Sequence, residues 1–265
     1  MPLAVEQVRR MRGGAQSQLM RCEDEGYYVV KFQNNPQGAR VLANELLGTR
    51  LAARLGLPTP PAALVEVRES LIEHSEDLII ELGRSRARCR AGLQFGSRYP
   101  GSPAETVVYD FLPDAPLREV TNVADFCGML VFDKWTCNTN GRQAIFFRTG
   151  GEACYQAQMI DQGFCFNAGE WNFPDAPLRG LYARHRVYES VRSIDSFEPW
   201  LTRVETRMTE AVLEDAAQGI PPEWYGFDFD ALEQLLERLL QRRKRVRELI
   251  VSAWKSSAQP FPHWK

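Results

Sequence analysis

One stretch near the middle of the chain, residues 132–166, constrains the possible folds more than any other. Residues 138–143 form a polar segment, and an Asp-X-Gly sequence follows at residues 161–163. Residues 144–147 and 155–160 lie between them, are mainly apolar and are separated by a glycine turn, so they predict a hairpin of two short strands. The stretch therefore predicts a polar loop, a hairpin and an Asp-X-Gly turn, in that order.

Length and composition indicate the class of protein. The chain has 265 residues, of which 44% are hydrophobic and 25% are charged, as in ordinary soluble globular proteins. This length is sufficient for one sizeable core or for two lobes around a cleft. A net charge of -2 provides no general attraction to nucleic acid or to anionic lipid. Because the sequence has no apolar run of about 18 residues and no signal-peptide pattern, we expect a cytoplasmic protein without membrane contact.

Cysteine and histidine are too dispersed to indicate a zinc site. The six cysteines include no CxxC pair, and only three histidines are present. Structural zinc sites draw four such ligands at close spacing. We therefore expect reduced, partly buried thiols.

A glycine turn and a strand that contains a lysine lie near the N-terminus. Gly13 and Gly14 precede residues 27–32, whose β-branched and aromatic side chains predict a strand. The turn either joins a plain hairpin or lets its backbone amides approach a phosphate group. Lys31 interrupts the apolar pattern of the strand, and such a lysine usually points to solvent.

The next element is a helix that carries one carboxylate of interest. Residues 36–55 predict this helix, because apolar side chains recur at one-turn spacing and Gly56 and Pro58 end the pattern. Glu45 lies at the edge of the apolar face. It is either an ordinary solvated carboxylate or the partner of Lys31.

The segment that leads into the central stretch predicts a loop, a strand and a helix. Residues 95–103 predict a loop, because they are rich in Gly, Ser and Pro. Residues 105–113 predict a buried strand that ends in a connector, and we expect a boundary between lobes near Pro113. Residues 121–135 predict an apolar, buried helix that presents the polar segment at its C-terminal end.

The C-terminal region predicts further helices. Residues 229–255 have apolar side chains at helical spacing and predict one long amphipathic helix. Residues 242–245 and Arg247 form a basic patch, which we expect on the solvated face. The patch lacks interleaved aromatic residues, so nucleic-acid binding is not expected.

Taken in order, these features resemble the HipA-like kinases over residues 8–224. The residues that carry the resemblance are Lys31, Asn44 and Glu45, residues 55–58, 132–135, 138–140, 160–163 and 220–224. The branch that is most similar is the stand-alone HipA-like domain, which is found without a DNA-binding partner subunit.

The resemblance implies an α+β, two-lobed, protein-kinase-like fold. A small β-rich N-lobe with one helix would span residues 1–113, and a larger helical C-lobe would span residues 114–265. The chain would use ATP and Mg²⁺ to phosphorylate a serine or threonine hydroxyl of a protein substrate.

The resemblance also assigns a nucleotide site. The residues that it implies for nucleotide binding are Gly13, Gly14, Lys31, Glu45, Tyr109 and Phe111. In this assignment Lys31, held by Glu45, reaches the α- and β-phosphates, and the glycine turn covers them. The backbone of residues 109–112 would meet the adenine edge. Asp161 would be the charged ligand for Mg²⁺.

The chain departs from the family pattern in the polar loop. Kinases of this type carry a catalytic Asp followed by an Asn that binds the second metal ion. Asn140 stands at the position of the catalytic Asp, and Arg142 is shifted by one residue. Gln143 would then provide the metal-binding amide.

A second assignment uses the spacing of Asp133 and Asn138, which matches the Asp-x-x-x-x-Asn sequence of protein kinases. Asp133 would then be the base, and Asn138 would bind metal. Because residues 132–135 predict helix and precede the loop in the family, the first assignment is preferred.

The missing base leaves more than one function open. A catalytic base contributes about 10²–10⁴-fold to rate, while positioning and metal charge provide most of the acceleration of phosphoryl transfer. The chain would be a slow or specialised kinase, or a pseudokinase that binds nucleotide as an interaction module. Transfer of AMP instead of phosphate is a third alternative.

Overall fold

The computed structural model describes residues Met1–Lys265 as an α+β fold of ten strands and eight α-helices. In chain order they are β1 (Ala4–Arg10), β2 (Gln18–Cys22), β3 (Tyr27–Lys31), α1 (Arg40–Arg54), β4 (Ala62–Val67), α2 (Glu69–His74), β5 (Ile79–Leu82), β6 (Ser85–Arg88), β7 (Gly92–Arg98), β8 (Thr106–Tyr109), α3 (Asp114–Leu117), α4 (Asp125–Thr136), β9 (Gln143–Thr149), β10 (Gln156–Ile160), α5 (Trp200–Arg207), α6 (Glu210–Ala217), α7 (Phe229–Arg242) and α8 (Val246–Trp254).

The N-terminal part of the chain forms a five-stranded antiparallel sheet in the order β1-β2-β3-β7-β4. The glycine turn joins β1 to β2, and Lys31 at the end of β3 pairs with Phe95 of β7. A small core of 12 buried residues lies against this sheet. The strand predicted at residues 27–32 and the helix predicted at residues 36–55 are confirmed within a few residues of their ends.

The prediction of a loop at residues 95–103 is wrong for its first part. Strand β7 continues to Arg98 and has a hydrogen-bonded neighbour on each side. Gly96 is required there by packing, because a Cβ atom on it would lie 2.4 Å from Cγ2 of Val65. A small residue that suggests a loop in the sequence therefore marks close packing between two strands.

A second antiparallel sheet, in the order β10-β9-β8, contains the predicted hairpin. Gln143 at the start of β9 pairs with Ile160 at the end of β10. This register brings the polar loop that precedes β9 next to the Asp-X-Gly turn that follows β10. The hairpin of the central stretch is thus confirmed.

Helix α4 passes through the main core, which contains 48 buried residues. Every residue from Phe126 to Thr136 is buried, including the polar residues Asp133, Lys134 and Thr136 near the C-terminal end. The polar loop begins directly after its C-terminal end. No helix of the structure combines the length and the apolar character of a membrane span. The division into lobes at residue 113 stays a prediction.

The single long helix predicted at residues 229–255 is interrupted. Residues Arg243–Arg245 form a 3-10 turn between α7 and α8. Arg242 does not lie on a solvated face, because only 6% of its surface is exposed. Its guanidinium donates to the carbonyl oxygens of Trp135 at 2.9 Å and Lys134 at 3.0 Å, and it pairs with Asp175 at 2.6 Å. The last carbonyl groups of a helix have no N–H donor within the helix, and Arg242 supplies hydrogen-bond donors to two of those in α4.

We predict that Arg242→Ala lowers the free energy of unfolding by about 3 kcal/mol, because it leaves two buried carbonyl groups unpaired and removes the nearer of the two arginine partners of the half-buried Asp175. Urea unfolding followed by circular dichroism measures this change. Lys244→Ala is the matched control, since Lys244 is exposed in the same basic patch and makes no ion pair. The control is expected to stay within about 0.5 kcal/mol of the wild type. Equal effects of the two substitutions would contradict the structural role of Arg242.

Candidate active site

A cavity of about 670 Å³ lies between the five-stranded sheet and the β9–β10 hairpin. It is lined by most of the residues that the sequence singled out, namely Gly13, Gly14, Lys31, Glu45, Asn140, Gln143 and Asp161. These residues come from the β1–β2 turn, from β3 and α1, and from the two ends of the hairpin. The fold thus brings together side chains that are far apart in the sequence.

Lys31 is the cation at the centre of the cavity. Its Nζ atom contacts Oε1 of Glu45 and lies 2.7 Å from Oδ1 of Asp161. Burial alone would lower the pKa of Lys31, but the attraction of the two carboxylates outweighs burial and raises it. The lysine is therefore charged at neutral pH and points into the cavity, not to solvent.

Glu45 holds both the lysine and the Asp-X-Gly turn. Its Oε2 atom accepts from the backbone N–H of Gln162 at 3.0 Å, and Oε1 accepts from that of Gly163 at 2.9 Å. A side chain at residue 163 would not fit, because its Cβ atom would lie 2.5 Å from Cγ1 of Val41. Glu45 is 2% exposed, so it is not the solvated carboxylate of the alternative interpretation.

Asp161 and Gln143 form the oxygen-rich wall of the cavity. The side-chain amide nitrogen of Gln143 donates to Oδ2 of Asp161 at 2.5 Å, because the β9–β10 register pairs Gln143 with Ile160, the residue before Asp161. Burial favours the neutral carboxyl, but the attraction of Lys31 outweighs it and lowers the pKa of Asp161. Asp161 is therefore ionised at neutral pH, and its carboxylate with the amide of Gln143 is a suitable donor set for a hard cation.

Asn140 is the exposed tip of the polar loop and lines the cavity. Asn138 lies below it and is buried, with Oδ1 accepting from the backbone N–H of Asn140 at 3.1 Å. The carbonyl oxygen of Asn140 accepts from the backbone N–H of Gly180 at 3.1 Å. The loop is thus fixed from two sides, and the exposed Asn140 side chain lies at the cavity, where its Oδ1 atom accepts from the backbone N–H of Gly141 at 2.9 Å.

Asp133, Asn138 and Arg142 form a buried cluster outside the cavity wall. Arg142 binds both carboxylate oxygens of Asp133, with Nε donating to Oδ2 at 2.8 Å. Asn138 donates its side-chain amide to Oδ1 of Asp133 at 3.0 Å. Arg142 also donates to the carbonyl oxygen of Ile160 at 2.6 Å and so joins the loop to the end of β10. Burial opposes the charge of Arg142, but Asp133 outweighs burial and raises its pKa.

Tyr109 and Phe111 do not line the cavity, whereas Val108 and Asp110 do. Val108 and Tyr109 are the last residues of β8, and because side chains alternate along a strand, Val108 faces the cavity and Tyr109 faces away. The Tyr109 ring packs edge-on against Tyr155 at 5.9 Å, and the guanidinium of Arg184 lies 4.7 Å from the Phe111 ring. The contact of this backbone with a nucleotide base stays a prediction.

The cavity is also lined by residues that the sequence patterns do not single out. Arg9 and Arg12 line it without an ion-pair partner, and Gln37 lies directly below Gly14. Arg12 precedes the glycine turn, so its position in the sequence could have indicated it. No sequence pattern indicates Gln37, because only the fold brings the connection between β3 and α1, which contains it, next to the glycine turn.

Comparison with known proteins gives one family and a set of similar folds. A sequence profile described as HipA-like kinase matches residues 4–249. No curated protein is significantly similar to the chain in sequence.

Several solved structures share the fold at low sequence identity. CtkA, a proinflammatory kinase of Helicobacter pylori, has a TM-score of 0.58 and 14% identity, and the match covers 94% of this chain and 95% of that chain. The Golgi casein kinase with Mn/ADP bound has a TM-score of 0.53 and 11% identity, over 97% and 73% of the two chains. The Fam20 protein of hydra, solved with a sugar, has a TM-score of 0.53 and 10% identity, over 100% and 87%. The fold is therefore kinase-like.

We predict that Asp133→Asn lowers the free energy of unfolding by about 3–5 kcal/mol, because it leaves Arg142 charged and unpaired in the core. The matched control is Asp125→Asn on the same helix. Burial raises the pKa of Asp125, so its charge is already unfavourable and an amide is expected to cost less than about 1 kcal/mol there. Chemical denaturation of both variants measures the difference. A small effect at Asp133 would show that its pairing with Arg142 is not structural.

Proposed function

Because this chain belongs to the HipA-like kinase family, we propose that it transfers the γ-phosphoryl group of ATP to a serine or threonine hydroxyl of a protein, in a reaction that depends on Mg²⁺. The observation that carries this proposal is the convergence of Lys31, Asp161 and Gln143 on one cavity beneath a glycine turn. A fixed cation for phosphates and a carboxylate with an amide for metal are the parts that phosphoryl transfer requires.

The cavity suits a nucleotide in size and in chemistry. Its volume of about 670 Å³ is in the range of small-molecule sites. Gly13 has no atom within 4 Å of the position that a Cβ would take, so a phosphate can approach the turn closely.

Asp161 and Gln143 would hold the metal ion. Mg²⁺ is usually bound by one or two protein oxygen ligands, with phosphate and water oxygens completing its shell. When bound, the ion would neutralise charge on the phosphates. The Golgi casein kinase structure contains Mn/ADP, which supports the same use of this fold.

Asn140 would orient the acceptor hydroxyl. Its side chain is the one polar group of the loop tip that faces the cavity, while Asp133 is bound on both oxygens by Arg142. This difference favours the assignment of Asn140 over that of Asp133. An amide accepts the hydrogen bond of a hydroxyl but does not take its proton, so the proton would leave to a phosphate oxygen or to water as the new P–O bond forms.

The second candidate is a non-catalytic module that binds nucleotide to set its shape. The amide at residue 140 favours it, because a base is worth about 10²–10⁴-fold in rate. Transfer of AMP is distinguished by the mass of the product, since the acceptor gains an AMP group instead of a phosphate.

We predict that ATP binding measured by calorimetry is strengthened by Mg²⁺ in the wild type and that Asp161→Ala removes this strengthening. The loss follows from removal of the charged metal ligand. Tyr109→Phe is the control, because the Tyr109 side chain lies outside the cavity. Absence of ATP binding by the folded wild type would overturn the proposed function. Binding that neither Mg²⁺ nor the substitution changes would favour the non-catalytic module.

We predict that Asn140→Asp accelerates phosphoryl transfer by about 10²-fold or more, because it supplies the missing base. Radiolabelled transfer from ATP to a protein mixture or to the chain itself measures the rate. Thr139→Asp adds the same charge one residue away and is expected to give no acceleration. If both variants react at the wild-type rate, residue 140 does not face the acceptor.

A further inference from the structure

Asn44 is a fully buried polar residue on α1, adjacent to Glu45, whose bonds all go to one segment of the chain. Its side-chain nitrogen donates to the carbonyl oxygens of Ala168 at 2.7 Å, Gly163 at 2.9 Å and Cys165 at 3.2 Å. Its side-chain oxygen accepts from the indole N–H of Trp171 at 2.7 Å. Both N–H groups and one lone pair of this amide are therefore used on Gly163 and on the residues that follow it.

That segment has an unfavourable backbone conformation. Phe166, Asn167, Ala168 and Trp171 have φ values of 58°, 61°, 54° and 48°, which non-glycine residues rarely adopt. Each such residue costs roughly 1–3 kcal/mol and persists only where its surroundings fix it. The bonds from Asn44 are directed at the carbonyl groups within and beside this run. The segment is held in place by α1 more than by its own preference.

Asn44 and Glu45 hold the same residue of the turn from two sides. The N–H of Gly163 donates to Glu45, and its carbonyl oxygen accepts from Asn44. The orientation of Gly163 is thus fixed relative to Glu45 and therefore relative to Lys31. Asp161 lies two residues before it, with a φ of 63° that also needs external support.

The chemistry of the segment excludes one common way of ordering it. Many kinases order the segment after this turn by phosphorylating it, which creates new ion pairs. Residues 164–177 contain no serine, threonine or tyrosine. Arg40 also anchors the segment without modification, by donating to the carbonyl oxygen of Gly169 at 2.8 Å and lying 4.6 Å from the Trp171 ring.

We propose that Asn44 is a positioning residue that keeps the Asp161 turn assembled for metal binding without modification of the following segment. The inference rests on the proposed function for the role of Asp161. It requires that loss of the amide donors loosens residues 163–171 and weakens the metal-dependent part of nucleotide binding, while the contact of Lys31 with the phosphates is kept.

The test uses Asn44→Asp, which keeps the shape and the acceptor for Trp171 but removes the donor to three carbonyl groups. The matched control is Gln94→Glu, since Gln94 is also fully buried and binds only backbone, at Gln33 and Arg90. Trp171→Phe removes the indole N–H together with part of the ring that packs on Arg40 and Tyr225, and it serves as the second variant. All are made in the full chain and are measured by hydrogen–deuterium exchange and by ATP calorimetry with and without Mg²⁺.

We expect Asn44→Asp to increase amide exchange in residues 163–171 and to weaken ATP binding in Mg²⁺ by about tenfold, equivalent to about 1.4 kcal/mol. Binding without Mg²⁺ is expected to stay within about twofold of the wild type, which a general loss of structure would not allow. Gln94→Glu is expected to leave both readouts of the turn unchanged. Trp171→Phe is expected to increase exchange in the same residues and to weaken ATP binding in Mg²⁺. If Asn44→Asp does not fold, the result for Trp171→Phe decides the test.

Wild-type exchange at residues 163–171 in Asn44→Asp would overturn the proposal, as would equal weakening of ATP binding with and without Mg²⁺. Exchange is measured without nucleotide, so it is independent of the proposed function. If the wild type binds no ATP, the proposed function fails, and faster exchange in the variant still supports the tether from Asn44.

Discussion

One buried cation shared by two carboxylates organises this structure. Lys31 contacts both Glu45 and Asp161, whose side chains are 2% and 18% exposed. Buried charge of this kind is tolerated only when hydrogen bonds and further charges compensate it. Backbone amides of the turn and the side chain of Gln143 compensate it here. The carboxylate of Asp161, whose pKa is lowered mainly by the attraction of Lys31, is the group at this site that suits a divalent cation.

A second buried ion pair, between Asp133 and Arg142, supports the polar loop from below. Asp133 and Arg142 lie under the polar loop and bind each other through two hydrogen bonds, and Arg142 continues to the carbonyl of Ile160. The loop and the Asp-X-Gly turn are therefore connected through the core as well as through the hairpin. A carboxylate in this position stabilises the loop but is enclosed, so it is a poor candidate for a group that exchanges protons with a substrate.

The parts of the site that follow local rules could be predicted from the sequence. The hairpin, the strand with Lys31 and the turn with Asp161 depend on short-range patterns, and the structure contains all three. The parts that depend on distant partners could not. In the sequence, Gly96 suggests a loop, and only its contact with Val65 in the fold shows that it lies in a tightly packed strand. Likewise, Arg242 suggests an exposed basic patch, and only the fold shows that it binds carbonyl groups at the end of α4.

The same reasoning explains how a chain without a catalytic Asp at residue 140 can still be a kinase. Phosphoryl transfer depends mainly on position and on charge, and a general base adds a smaller factor. In this chain the positioning is built into the fold, because Asn44 and Glu45 on α1 fix Gly163 directly. A turn that is assembled in advance avoids the free-energy cost of ordering it in each catalytic cycle. If residue 140 orients the acceptor as proposed, its amide would slow the chemical step and leave the proposed nucleotide and metal ligands in place.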